Sequence, residues 1–195
     1  MVTYESISKL ESNKKTFYDS KDLSIFFSIS GRKLENTIKK LIDENILTPL
    51  ERDKYYVDSK KPNEMQIANF LYNPSYISFE TALSYYGILS QFPTVITSAT
   101  TKKTKKKDIQ GKEYIYHHLN PNYFTGYIKG SGYLIAIPEK ALVDQTYFSL
   151  KSIKSLQNLD EYNLTKINKK EVLYYSRLIR GSLGNKITEL FMQTL

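Results

Sequence analysis

Between Thr16 and Val57 the apolar positions repeat first with a helical period and then with the shorter spacing of strands. Leu23, Phe26 and Phe27 fall at i, i+3 and i+4, which predicts a short helix that Asp19 or Ser20 can cap. Ser28-Ile29-Ser30-Gly31 interrupts that pattern with a tight turn and offers Ser30 as a second cap. Leu34, Ile38, Leu41 and Ile42 then mark one face of a longer helix. Ile46 to Leu50 and Lys54 to Val57 read as two short strands, with Glu51-Arg52-Asp53 as the polar hairpin between them. Ahead of all this, residues 1–15 carry Tyr4, Ile7 and Leu10 as the apolar side of a first helix.

The polar stretch Asp58 to Asn63 ends in a breaker pair, which places a domain boundary there and predicts domains at 1–58 and 64–195. A short helix follows at Glu64 to Leu71, and Asn73-Pro74-Ser75 turns the chain. Ser78 caps a helix running to Tyr86, with Gly87 as its stop. Thr94 to Thr100, Lys112 to His118, Gly126 to Lys129 and Tyr133 to Ile137 predict strands, the last two joined as a hairpin by Gly130-Ser131-Gly132. Pro138 opens a helix packed through Ala141, Leu142, Gln145 and Phe148. Lys169 to Leu178 and Leu183 to Met192 predict two more helices. The expected fold class is α+β: an N-terminal winged helix-turn-helix followed by a mixed α/β C-terminal domain.

Composition narrows the function classes. At 41% hydrophobic and 25% charged residues the chain is ordinary for a folded protein, which excludes gross disorder. Without cysteine it has neither a disulfide framework nor a thiolate zinc site, which fits a reducing, cytoplasmic setting. No apolar run reaches membrane-spanning length, and Met1-Val2-Thr3-Tyr4-Glu5 lacks the apolar core of a signal peptide, so no membrane partner is expected. The net charge of +8 is unevenly spread. Residues 1–60 hold 11 basic and 10 acidic residues, whereas residues 61–195 hold 17 and 10.

Opposite the apolar face of the longer helix, a pitch of 3.6 residues clusters Arg32, Lys33, Asn36, Lys39 and Lys40. Arg32 and Asn36 can make bidentate contacts to base edges. Lys33, Lys39, Lys40, Arg52 and Lys54 are expected on phosphates, with the hairpin as the wing. A small helical bundle with a solvated basic face is the alternative, but helix, short turn, helix and hairpin in that order favour double-stranded DNA. Asp43 and Glu44 lie at the far end of the helix, away from the residues that usually enter the major groove. Lys102, Lys103, Lys105, Lys106 and Lys107 form a dense run, read as a loop between strands. Five like charges so close repel, so phosphate contact is favoured over simple solvation.

Other constellations carry less. His117 and His118 are adjacent in a strand and point to opposite faces, so no metal site is expected. Tyr114 and Tyr116 alternate as the half-buried face of a sheet. Pro138-Glu139-Lys140, with Asp108 upstream, resembles the end of a metal-dependent nuclease signature, but it opens a helix, where the dipole already explains a glutamate. No cofactor and no catalytic residue is expected.

Four blocks then carry a resemblance. Ile77-Ser78-Phe79-Glu80-Thr81-Ala82-Leu83-Ser84-Tyr85-Tyr86-Gly87, Thr97-Ser98-Ala99-Thr100-Thr101-Lys102-Lys103, Tyr116-His117-His118-Leu119 and Ala136-Ile137-Pro138-Glu139-Lys140-Ala141-Leu142-Val143-Asp144 resemble, in order, segments of the AbiEi antitoxin family. The resemblance covers roughly residues 60–150 and implies an antitoxin of a type IV toxin–antitoxin system, of the kind associated with abortive infection and phage defence. It implies repression of the operon through an inverted-repeat operator. It also implies a functional link to an AbiEii-like nucleotidyltransferase toxin without a stable complex. The rival from the same residues is a stand-alone transcriptional regulator with no toxin.

Overall fold

The computed structural model describes residues 4–151 and 162–195, which contain eight α-helices and two β-sheets in a mixed α+β arrangement. Residues 1–3, where the predicted first helix begins, lie outside the described residues. The chain divides into two units, Met1–Leu71 and Tyr72–Leu195.

In the first unit the order is α1 (Tyr4–Ser12), β1 (Phe17–Asp19), α2 (Ser20–Phe27), α3 (Gly31–Asp43), β2 (Leu47–Glu51), β3 (Lys54–Val57) and α4 (Glu64–Leu71). Asp19 is the cap of α2. Its side chain accepts from the Asp22 amide at 2.7 Å, and the Asp22 carboxylate accepts from the Asp19 amide at 3.0 Å, a reciprocal capping box. Burial pushes the Asp22 carboxyl up, but Lys15 at 2.6 Å and the Asp19 amide outweigh it and hold the group below its ordinary value. That interaction therefore supports the fold above the usual carboxylate range and is lost as pH falls through the lowered value.

Ser28, left-handed at φ 53°, ends α2, and the Ile29 amide donates back to the Ser24 carbonyl. Ser30 takes the N-cap backbone position of α3 but makes no side-chain capping bond. Leu10, Tyr18, Leu23, Ile38, Leu41, Leu47 and Val57 form the core, with Leu34, Ile42, Phe26 and Phe27 packed against it.

Two expectations change here, and one element is added. Tyr4, expected on the packed side of α1, is 88% exposed; Leu10 and Ile7 dock that helix. Phe17–Asp19 is a strand, pairing antiparallel with β3 in a sheet of order β1-β3-β2. The boundary expected at 58–63 moves beyond α4, because Phe70 stacks on Phe17 with ring centroids 4.6 Å apart. Lys60, in the turn after β3, donates to the carbonyls of Leu10, Asn13 and Lys15. A cation thus sits at the C-terminal end of α1, where the dipole favours it.

The second unit is built on a six-stranded sheet of order β6-β7-β5-β4-β9-β8. Its strands are β4 (Ser75–Ile77), β5 (Ile96–Thr100), β6 (Lys105–Ile109), β7 (Lys112–His118), β8 (Tyr127–Lys129) and β9 (Leu134–Ala136). The pairs β5–β7 and β4–β9 are parallel and the others antiparallel. The helices are α5 (Phe79–Tyr85), α6 (Pro138–Lys151), α7 (Lys169–Leu178) and α8 (Ser182–Thr194). Helix α6 is the central helix of the unit, buried from Glu139 through Tyr147. Tyr114 and Tyr116 are buried on one face of β7, as their alternation suggested. No described helix is long and apolar enough to cross a membrane.

Replacing Asp19 by Ala removes the α2 cap and is expected to lower the stability of the first unit by about 1 kcal/mol. Urea unfolding followed by circular dichroism measures it, and an unchanged midpoint would mean the capping box contributes nothing.

Candidate nucleic-acid interface

Helix α3 turns its apolar stripe inward and leaves Arg32, Lys33, Asn36, Lys39 and Lys40 exposed. Arg32, Lys33 and Asn36, all in its first half, make no hydrogen bond or ion pair with a described residue. Lys40 pairs with Glu44 at 3.6 Å, an exposed contact of little energetic weight. Lys39 lines a hollow of about 380 Å³ between α3 and the hairpin, together with Glu35 and Asp53. Asp53, at φ 60°, turns the hairpin and accepts from the Ser20 hydroxyl at 2.9 Å. Arg52 beside it is 97% exposed and reaches Asp53 at 3.5 Å.

Lys54 makes contacts within the first unit. Its ammonium donates to the Leu71 carbonyl, pairs with Glu51 at 2.9 Å and lies 5.6 Å from the centre of the Phe70 ring. It is a strut between β3 and α4. The signal for this lay in Phe70 and Glu51, neither recognisable as a partner without the fold.

The lysine run is not the loop that was expected. Lys105, Lys106 and Lys107 belong to β6, an edge strand of the sheet. Pleating divides them. Lys105 and Lys107 stand opposite Tyr116 and Tyr114, whereas Lys106 stands opposite Ile115 and pairs with Glu113. On the first face the ammonium groups of Lys102, Lys105 and Lys107 lie 5.4, 5.8 and 5.9 Å from the centre of a single ring, that of Tyr72. That ring is set edge-on to Tyr116 at 5.0 Å, and its hydroxyl donates to the Lys103 carbonyl at 3.1 Å. Three cations gathered around one π face repel each other in part, and an anion above them relieves that repulsion. Tyr72 is the residue that sequence reasoning missed; nothing marks it among 17 tyrosines. Lysines on an edge strand also oppose pairing with a further strand.

Glu139 and Lys140 face inward. Glu139 is buried and accepts from the Asn168 amide at 2.9 Å. Lys140 is 2% exposed and donates to Oδ1 of Asp144, one helical turn on. The other oxygen of Asp144 accepts from the Tyr76 hydroxyl at 2.9 Å and the Ser78 hydroxyl at 2.8 Å. Burial and the Asp144 carboxylate together push the Tyr76 phenol well above its ordinary value. Ser78, expected to cap α5, spends its hydroxyl on Asp144 instead. Asp108 belongs to β6 and accepts from the Gly111 amide at 3.2 Å, in the turn that follows the strand. Among the described residues no group of three or more His, Asp or Glu is placed to hold a metal ion. His117 lies against Phe148, and His118 Nδ1 is 3.0 Å from the Lys102 carbonyl.

Compared with protein-family models and with curated proteins, the chain has no match in either.

Lys140→Met strands a buried carboxylate and is expected to cost about 3–5 kcal/mol in urea unfolding. Adding Asp144→Asn removes that charge and recovers part of the loss. A Lys140→Met protein as stable as the parent would contradict a buried pair.

Proposed function

We propose that the chain is a sequence-specific DNA-binding repressor of the AbiEi antitoxin type. In this reading residues 1–58 form a winged helix-turn-helix, α3 enters the major groove, and the hairpin carrying Arg52 is the wing. One observation carries it: the first half of α3 presents Arg32, Lys33 and Asn36 outward and unpaired among the described residues, directly ahead of a two-stranded hairpin. The three-residue connection Ser28-Ile29-Ser30 between α2 and α3 supports it, since helix-turn-helix units use turns of that length. Arg32 and Asn36 read base edges; Lys33, Lys39, Lys40 and Arg52 hold phosphates.

The charge distribution supports a second contact. Extending the first unit to Leu71 adds one Lys and one Glu, so it keeps a net charge of +1 against +7 for the second. A reader so nearly neutral gains little long-range attraction to a polyanion. Lys102, Lys105 and Lys107 around Tyr72 supply it, with Lys103 beside them; Lys106 is partly neutralised by Glu113. Operon repression and the link to a nucleotidyltransferase toxin rest on the family resemblance of residues 77–144. A nucleotidyltransferase-like reading frame next to this gene supports that part, and a stand-alone gene argues for a regulator without a toxin.

In a gel-shift series on DNA from the chain's own promoter, Asn36→Ala is expected to lower discrimination between operator and random DNA by ~1–3 kcal/mol. An unchanged ratio would remove this face from base reading. Changing all five lysines of the 102–107 run to Gln is expected to flatten log K against log salt by about two to four units, at about 0.9 per phosphate contact, while preference for the operator persists. An unchanged slope would show that the strand does not touch DNA.

A further inference from the structure

In the second unit a hollow of about 400 Å³ opens among α5, the segment leading into β5, β7 and α6. That is the size range of small-molecule sites. Pro93, Val95, Ile115 and Phe148 give it a largely apolar wall. The rings of Phe148 and His117 lie 3.9 Å apart, and buried Phe79 backs both, at 5.8 and 4.9 Å. Phe79 holds a left-handed backbone, φ 57°, uncommon for a bulky residue, and so fixes where Glu80 begins.

Among the described residues Glu80 is the one carboxylate that lines the hollow and no lysine or arginine lines it, although the unit carries a net charge of +7. Gln145 Nε2 donates to Glu80 Oε1 at 2.9 Å and anchors the group. Oε2 receives no hydrogen bond from a described residue. The hollow thus combines an oriented acceptor of negative charge with aromatic rings. Anions are repelled by that carboxylate. A compact ammonium keeps its water more tightly than a guanidinium does. A planar guanidinium or amidinium forks onto a carboxylate, stacks on aromatic faces and is weakly hydrated.

We propose that this hollow binds a small molecule bearing a planar guanidinium or amidinium group on an apolar body, with Glu80 as its acceptor and Phe148 and His117 as its stacking surface. The proposal does not depend on the DNA-binding reading.

Benzamidine is the probe, with benzamide as its neutral and benzoate as its anionic counterpart. Each is titrated into the full chain by calorimetry at about pH 8, where an ordinary imidazole is neutral. Benzamidine is expected to bind about tenfold or more tightly than either counterpart. Glu80→Gln keeps an oxygen acceptor for Gln145 and should leave the thermal midpoint unchanged while abolishing that preference. Phe148→Leu should weaken benzamidine but retain its preference over benzamide. Equal binding of benzamidine and benzamide, undiminished benzamidine affinity in Glu80→Gln, or no heat with benzamidine would overturn the proposal. Because no DNA is present, failure here leaves the DNA-binding reading untouched.

Discussion

The second unit depends on one carboxylate. Asp144 of α6 gathers the Tyr76 hydroxyl from β4, the Ser78 hydroxyl from the start of α5 and the ammonium of Lys140 one turn earlier in α6. A buried charge is tolerable only when its lone pairs are satisfied, so sheet and helices must meet at this point and in one register. Strand β4 is thereby fixed in the middle of the sheet, with β5 and β7 on one side and β9 on the other. The lysine edge strand and the hollow beside Phe148 are both positioned by that placement.

The two basic surfaces arise by different means. In α3 the core takes up Leu34, Ile38, Leu41 and Ile42, so the cations are turned outward by exclusion. In β6 the pleat divides a continuous run. Lys105 and Lys107 go to the Tyr72 side, and Lys106 goes to Glu113. Helical geometry spreads charge along a face, whereas an edge strand concentrates it at one place.

Acids modulate both surfaces. Glu35 and Asp53 line the hollow beside α3 with Lys39, and Glu113 neutralises the middle of the lysine strand. The cations left without a counter-charge are therefore fewer than composition suggests. In the first half of α3, Arg32 and Lys33 are among them.

Local periodicity sufficed for helices α2 to α8 and for the hairpin β2–β3, because each repeats its apolar residues over its own length. A cap at Asp19 or Ser20 was equally legible, and the bond from the Asp22 amide decides for Asp19. Strands β1 and β4 were not; three residues carry no alternation, and their identity lies in partners as distant as Tyr56 and Ala99. Strand β6 was hidden by its lysines, which favour an exposed loop until the β7 register pairs them. The inward turn of Lys54, the extension of the first unit through α4, the ring of Tyr72 beneath three cations and the carboxylate of Glu80 beside Phe148 were decided by tertiary structure alone. Each is a contact between residues far apart in the chain, and local pattern holds no record of which distant side chain will arrive.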